Sequence, residues 1–471
     1  MRTFTFKSLF LTVLFVLLGS TAILAADDGL ITRQITLRLD EAGTLPDRIA
    51  VSRKNLITNL KIVGKINGTD LKFIREMAGR GDICEDNMEK TDGKLSILDL
   101  SKARIVEGGS AYISYNGSCQ YTYNDKLGNY VFCGCIGLTS LTLPSSVTSI
   151  GDYAFDCCIW LTSLTLPSSV TSIGKAAFEC CDGLTSLTIP SSVTTIGASA
   201  FTHCDGLTSL TLPSSVTSIG DYAFGYCFGL TSLTINSSVT SIGASAFAFC
   251  CRLTSLTINS SVTSIGTSAF SGCSELTSLT IPSSVTSIGT SAFSDCRGLT
   301  SLTIPSSVTS IGASAFANCI GLTNLTIPSS VTSIGDQAFW RCSGLTSLTI
   351  PSSVTSIDRG AFWGCSGLTS IYVYPEKIPA LGTDVFDRCN AKNCIVYVPK
   401  GTYDDYRKSE FGYFENIKEF DATDIDKVTT SADAKEVSRY SVNGQRLSAP
   451  AKGLNIVKYS DGSVKKVAVM E

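Results

Sequence analysis

His203 is the only histidine in the 471 residues. A Ser–His–Asp or Cys–His arrangement for nucleophilic catalysis would have to use it. Its surroundings, AFTHCDGL, are one copy of a segment that recurs along the chain, with one unusual letter. They predict a surface histidine rather than a general base. Asp152 and Asp156 could form a carboxylate pair, but comparable acids in neighbouring copies are scattered and imply no cleft. The C-x-C at Cys133 and Cys135 lacks the second pair that a zinc site needs. The glycines follow a repeat and form no phosphate-cradling loop. Without clustered Lys and Arg, and with a formal net charge of −3, nucleic acid has no electrostatic footprint. No catalytic group, metal or cofactor is expected.

The chain carries 19 cysteines. Twelve fall at one recurring place: Cys135, Cys158, Cys181, Cys204, Cys227, Cys250, Cys273, Cys296, Cys319, Cys342, Cys365 and, one residue late, Cys389. Side by side on stacked coils, their Cα–Cβ vectors run parallel instead of converging, which disfavours disulfides and predicts buried thiols. Cys84, Cys119, Cys133, Cys157, Cys180, Cys251 and Cys394 lie off this ladder; Cys84–Cys119 and Cys389–Cys394 are conceivable bridges.

Two sets of residues could bind. Ser301 and Thr303 recur as Ser140/Thr142 through Ser347/Thr349, with Asn324 the exception, and should form a long uncharged hydroxyl-bearing face. Aromatics and arginines, the types enriched at binding hot spots, gather where the copies differ. Trp340 and Trp363 occupy matching places one copy apart, with Arg341 beside the first. The candidate contact residues are Trp340, Arg341, Arg359 and Trp363, then Tyr222 and Tyr226.

The elements that must position these groups come from repetition. Units begin at Leu138, Leu161, Leu184 and every 23 residues to Leu368, without an insertion or deletion. Equal lengths let each coil sit on the last. In the unit from Leu299, L-x-x-L-x-I gives a short strand, Pro305 ends it, and Val308 and Ile311 give a second apolar pair. Gly312 permits the following turn, Ala315 and Phe316 plug the interior, and Cys319 closes the circuit. From Leu138 to Gly367 only 15 of the chain's 77 charged residues occur. The remainder lie in flanks that read as caps. Ile57-x-x-Leu60-x-Ile62 and Leu95-x-x-Leu98-x-Leu100 keep the strand signature, and Thr69–Gly79 reads as a helix with Thr69 or Asp70 at its start. Leu127, Phe132 and Cys135 form an irregular first coil. CIVYVPKG gives a strand ending at Pro399, before a charged aromatic closing element.

The words S-V-T-S-I-G-x-x-A-F-x-x-C resemble the BspA-like leucine-rich repeats of microbial surface proteins, over about Asn116 to Cys389. The resemblance implies a repeat solenoid, a β-rich right-handed coil of 23-residue units, over 116–389. An N-terminal cap with irregular repeats is expected over 27–115 and a C-terminal cap over 390–421. Residues 1–26 read as an export signal, with an apolar core at Leu9–Gly19 and small residues before a cleavage point near Ala25 or Ala26. A linker spans 422–436, and 437–471 forms a short β-rich tail with turns at Asn443-Gly444 and Asp461-Gly462. That tail, in V-N-G-Q-R-L, K-G-L-N-I-V and K-K-V-A-V, is similar to the sorting modules of the type IX secretion route of the Bacteroidetes. Together these imply an exported, non-enzymatic protein at the outer-membrane surface or outside the cell. The family implies an adhesin whose partners are proteins or glycans of host or partner cells, with no nucleic acid and no membrane span. The alternative is a structural spacer with no specific ligand. The oligomeric state is not legible.

Overall fold

The computed structural model describes residues 29–84, 87–115, 117–236, 238–421, 436–441, 446–447, 453–459 and 464–469. The export signal, the linker (Glu436 excepted) and the turns at Asn443-Gly444 and Asp461-Gly462 lie outside these residues.

The molecule is a β-solenoid, and each 23-residue unit makes one three-walled rung. The first wall is a strand such as Ser301–Thr303, with Leu302 and Ile304 buried and Ser301 and Thr303 outside. Pro305 has no N–H to give a ladder, and its carbonyl accepts from Val308 N at 3.1 Å to close the turn. Where Asn236 replaces proline, its side-chain oxygen takes the N–H of Ser238 at 2.8 Å and rebuilds the turn. The second wall is the two-residue strand Ser310–Ile311. The third is a run of turns around Ala315 and Phe316.

Gly312 is needed for a different reason than the expected turn. Its φ is not positive, and a Cβ built on it would lie 2.6 Å from the carbonyl oxygen of Ile288 on the preceding rung. Gly266 and Gly289 meet the equivalent isoleucine carbonyls at 2.8 Å, and Gly243 meets Asp221 N and Gly220 C at 2.7 Å. Rung-to-rung approach, not backbone freedom, requires glycine here.

The second-wall strands form one parallel sheet of twelve, from Lys126–Leu127 to Ala380–Leu381. The first wall, expected to be one long face, is interrupted. Its strands form separate ladders, and Ser186–Thr188 belongs to no strand. The break has a visible hydrogen-bond basis. Second and third walls bond each rung to its neighbour at every step around here, whereas first-wall bonds such as Thr208 N to Thr185 O at 3.2 Å are not made at every junction. The hydroxyls also have internal work. Thr300 Oγ donates to Thr277 O at 3.0 Å, Ser307 Oγ to Val285 O at 2.6 Å and Thr171 Oγ to Thr148 O at 3.2 Å, each across one junction. Much of the Ser/Thr content therefore binds rung to rung.

The core is a stack of identical groups. Phe132 to Phe386 place one ring per rung, stacked at centroid distances of 5.1–5.8 Å. Full burial of each ring is worth about 1.5–3 kcal/mol. The ladder cysteines are buried free thiols, and from Cys158 onward each donates to the phenylalanine carbonyl one rung back, as Cys319 Sγ does to Phe293 O at 3.3 Å. Cys389 and Cys394 are also free and buried, so the bridge conceivable between them is not formed. Cys119 is an exposed free thiol, and the side chain of Cys84 lies outside the described residues.

Both ends are covered. Strands Ile35–Leu39, Asn59–Ile66 and Ile97–Ile105 extend the first wall in parallel to Ser140–Thr142. The helix spans Gly68–Met77, starting one residue before Thr69, and its cap is Asn67: Asn67 Oδ1 accepts from Thr69 N, and Asp70 answers by accepting from Asn67 N. A side sheet of Arg80–Cys84, Asn87–Lys90, Gly108–Tyr115 and Ser118–Thr122, unannounced in the sequence, flanks it. At the far end Ile395–Pro399 and Asn416–Phe420 add two parallel strands, with the helix Tyr403–Arg407 between them. Glu436–Ser441, Arg446–Leu447, Gly453–Tyr459 and Val464–Val469 make a four-stranded antiparallel sheet. No helix among the described residues is long and apolar enough to cross a membrane.

Candidate functional site

The third wall sets where variable side chains point. Its alternate N–H groups donate to the next rung: Ser314 N to Asp336 O at 2.8 Å, Phe316 N to Ala338 O at 2.8 Å and Asn318 N to Trp340 O at 2.6 Å. Between them, Ala317 N and Cys319 N close local turns on Ser314 O and Phe316 O. This alternation puts two residues per rung in the left-handed region, Ser314 at φ 53° and Asn318 at φ 61°. The second of these stands just before the ladder cysteine and repeats along the array as one outward column.

Its chemistry changes along the axis. Gly134 comes first, then Cys157 and Cys180, half-buried on adjacent rungs with their thiols interacting. That interaction raises the Cys157 thiol and lowers Cys180. His203, Tyr226 and Phe249 follow as a stack with centroids 4.7 and 5.0 Å apart, and Phe228 stands edge-on to Tyr226. Burial raises the carboxyls of Glu179, Asp182 and Asp205, which lie within electrostatic reach of His203. Then Asn318 donates to Asp295 at 2.6 Å, and the column ends in Arg341, Gly364 and Arg388.

Trp340 and Trp363, immediately before Arg341 and Gly364, stack at 5.4 Å and 14°. The Arg341 guanidinium lies 4.4 Å from the Trp340 centroid and 5.5 Å from that of Trp363. Arg388 covers Trp363 at 4.7 Å. Trp340, Arg341 and Trp363 thus come together. Arg359 is exposed on the rung of Trp363, but the second cation at that indole is Arg388. Arg388 was readable: Phe386 and Cys389 run one residue late, and carrying that shift forward puts Arg388 in the Arg341 column. Tyr222 and Tyr226 lie about five rungs away, roughly 24 Å at the spacing of paired strands. A shallow depression of about 390 Å³ beside Trp363 is lined by Arg341, Arg388, Asn318, Ser343 and Ser366.

The carboxylates and ladder thiols considered for covalent chemistry are otherwise engaged. Asp152 accepts from Lys175 N at 2.8 Å, whereas Asp156 takes the Cys133 S–H at 3.4 Å, so the two carboxylates serve separate partners. Burial pushes the ladder thiols Cys227, Cys296 and Cys342 up to about 12, holding them protonated at neutral pH. Among the described residues no three His, Cys, Asp or Glu side chains gather closely enough to hold a metal ion.

A family model described as a BspA type leucine rich repeat region, in six copies, matches residues 125–250, 194–321, 240–369 and 286–418. No curated protein matches the chain. Among solved structures, a leucine-rich repeat protein from Bacteroides ovatus is 28% identical, covering 64% of this chain and 89% of that one, with a TM-score of 0.47. A leucine rich cell surface protein from Faecalibacterium prausnitzii is 32% identical, covering 62% of this chain and 92% of that one, with a TM-score of 0.37.

Proposed function

Because the chain belongs to the BspA-type leucine-rich repeat family, we propose that it is a non-enzymatic binding protein, exported to the cell surface or released, that acts as an adhesin toward proteins or glycans of host or partner cells. The observation that carries this reading is the stacked Trp340–Trp363 pair with its guanidiniums, set at one place on an otherwise nearly uncharged array. Tryptophan gives large contact area for little ordering cost, and arginine gives strong charge-assisted hydrogen bonds. The rigid rungs hold them in place before a partner arrives, which lowers the cost of binding.

Full-length protein, immobilised and offered matrix proteins, glycan arrays and partner cells, should show saturable binding. Trp340→Ala with Trp363→Ala should weaken it by roughly tenfold or more, as hot-spot truncation does. No saturable binding to any of these would favour the spacer role instead. Export and sorting are tested by cell fractionation with and without residues 437–471. A shortened protein still found on the surface would refute the sorting role of the tail.

A further inference from the structure

Arg341 and Arg388 are two rungs apart in the outward column, and the residue between them is Gly364. Gly364 has φ 71°, and a Cβ there would lie 3.3 Å from Arg341 Cγ. The missing side chain is therefore what lets Arg341 lean along the column onto Trp363. Both guanidiniums meet that one indole, 5.5 and 4.7 Å from its centroid, so the two charges sit within about a Debye length of each other, ~10 Å at 0.1 M salt. Neither makes an ion pair with a carboxylate among the described residues. The acid next in chain, Asp387, is half-buried, and its carbonyl accepts from Gly364 N. Two like charges held this close, and facing an open depression lined by Ser343, Ser366 and Asn318, lack only an anion.

We propose that the Arg341–Gly364–Arg388 notch binds an oxyanion, sulfate or carboxylate, carried on an acidic polysaccharide. Stacking on an indole uses the face of a guanidinium and leaves its N–H fork for a planar or tetrahedral oxyanion. The neighbouring hydroxyls and amide supply the small adaptable donors and acceptors that sugar hydroxyls need. An acidic peptide fits less well. Added strands dock through free backbone N–H and C=O groups, and here Arg341 N is bonded to Trp363 O at 2.7 Å and Gly364 N to Asp387 O at 2.7 Å. The notch offers side chains only. This inference rests on the adhesin reading and names the ligand chemistry of one part of the same patch.

The test uses the full-length chain and four probes: heparin for sulfate, hyaluronan for carboxylate alone, neutral dextran and poly-glutamate. Binding to heparin, hyaluronan or both, weakened by added salt and absent with dextran, is the expected result. Which of the two binds identifies the oxyanion. Arg341→Gln or Arg388→Gln should each reduce affinity roughly tenfold, the effect of losing one charge-assisted contact, and the double variant should bind at background. Arg297→Gln, whose arginine is already paired with Asp295, should bind as the parent does. Unchanged thermal melting of the variants excludes misfolding as the cause. The inference is overturned if neither acidic glycan binds, if the double variant keeps binding, or if poly-glutamate alone binds. Should matrix proteins or cells still bind in those cases, the adhesin reading survives without the notch.

Discussion

A side chain held at positive φ costs roughly 1–2 kcal/mol relative to the right-handed region, and this array accepts that cost twice in almost every rung. Tyr226 at 59°, Phe249 at 59° and Arg341 at 56° are poor residues for that conformation. The inter-rung bonds at the same residues, such as Tyr226 N to Ala248 O at 2.7 Å, offset it. Backbone geometry is thus set by the neighbours, and the side chain at this place is free to vary. Cys157 and Cys180 show one consequence. Their thiols interact across a rung junction, which raises Cys157 and leaves Cys180 the lowered, more acidic thiol. Oxidised glutathione should join the two sulfurs. A Cys180 thiolate displaces one glutathione from the disulfide, and Cys157 then displaces the second, with each thiol losing its proton. Mass spectrometry should find the 157–180 cross-link in folded protein, with the buried ladder cysteines unmodified. Cys157→Ser should give instead a stable glutathione adduct at Cys180. Failure to recover any 157–180 link under conditions that modify Cys119 would show that the two do not meet.

Elements in this molecule are stable only as neighbours, so the first and last rungs pose the sharpest problem. Within the array the carbonyls of Asp152, Ala154 and Asp156 accept from N–H groups of the rung before. The equivalent carbonyls of the first rung are Asn129, Val131 and Cys133, and no rung precedes them. Tyr112 Oη donates to Asn129 O at 2.8 Å, and Arg75 donates to Val131 O at 3.1 Å and Cys133 O at 3.3 Å. Arg75 is 1% exposed, and the same guanidinium also bonds Tyr130 O and Gly81 O. Arg80 joins in through Gly134 O. Side chains here imitate the missing strand. Arg75→Met removes a costly buried charge but leaves several acceptors dry. Each orphan costs about 1–3 kcal/mol, so the loss should win, by on the order of 3–5 kcal/mol. Hydrogen exchange should then quicken at residues 130–135 and stay slow near Phe270. Uniform protection in the variant would refute the capping role. The same contrast separates what the sequence disclosed from what it hid. Period, strand, core column and buried thiols follow from local pattern, because each rung repeats the same solution. Arg75, Arg80 and Tyr112 act through contacts 17–58 residues away in chain and carry no periodic signal. The Arg341–Arg388 pairing was half visible, through Arg341, and hidden by the one-residue shift at the last rung. The interruptions of the first wall follow from which inter-rung hydrogen bonds form and could not be read from copies with nearly identical letters.

For the whole molecule, a linear array makes stability nearly a sum of rung and junction terms. Phe270→Ala tests this from inside. Emptying one place in the ring stack should cost about 3–5 kcal/mol. Because the lesion sits mid-array, it should split one cooperative transition into two, with the halves melting apart, a result that a compact domain would not give. Deleting Leu253–Glu275 tests it from outside. The cut joins Arg252 to Leu276 in frame, so Thr231 O can receive Thr277 N as it now receives Thr254 N, and Ile242 can pair with Ile288 as it now does with Ile265. The phenylalanine stack closes over the gap with Phe247 upon Phe293. The shortened protein should fold, keep the Trp340–Arg388 notch and its ligand intact, and lower the urea m-value by only roughly 6%, in line with the surface removed. Deleting Leu253–Val262, ten residues, removes less of the chain but puts the second wall of one rung against the third wall of the next. The glycine contacts, the thiol–carbonyl bonds and the ring stack all lose register at that junction. Circular dichroism and urea unfolding should show the smaller deletion to be the more damaging one. Equal damage from both would mean that the repeat is not the unit of folding.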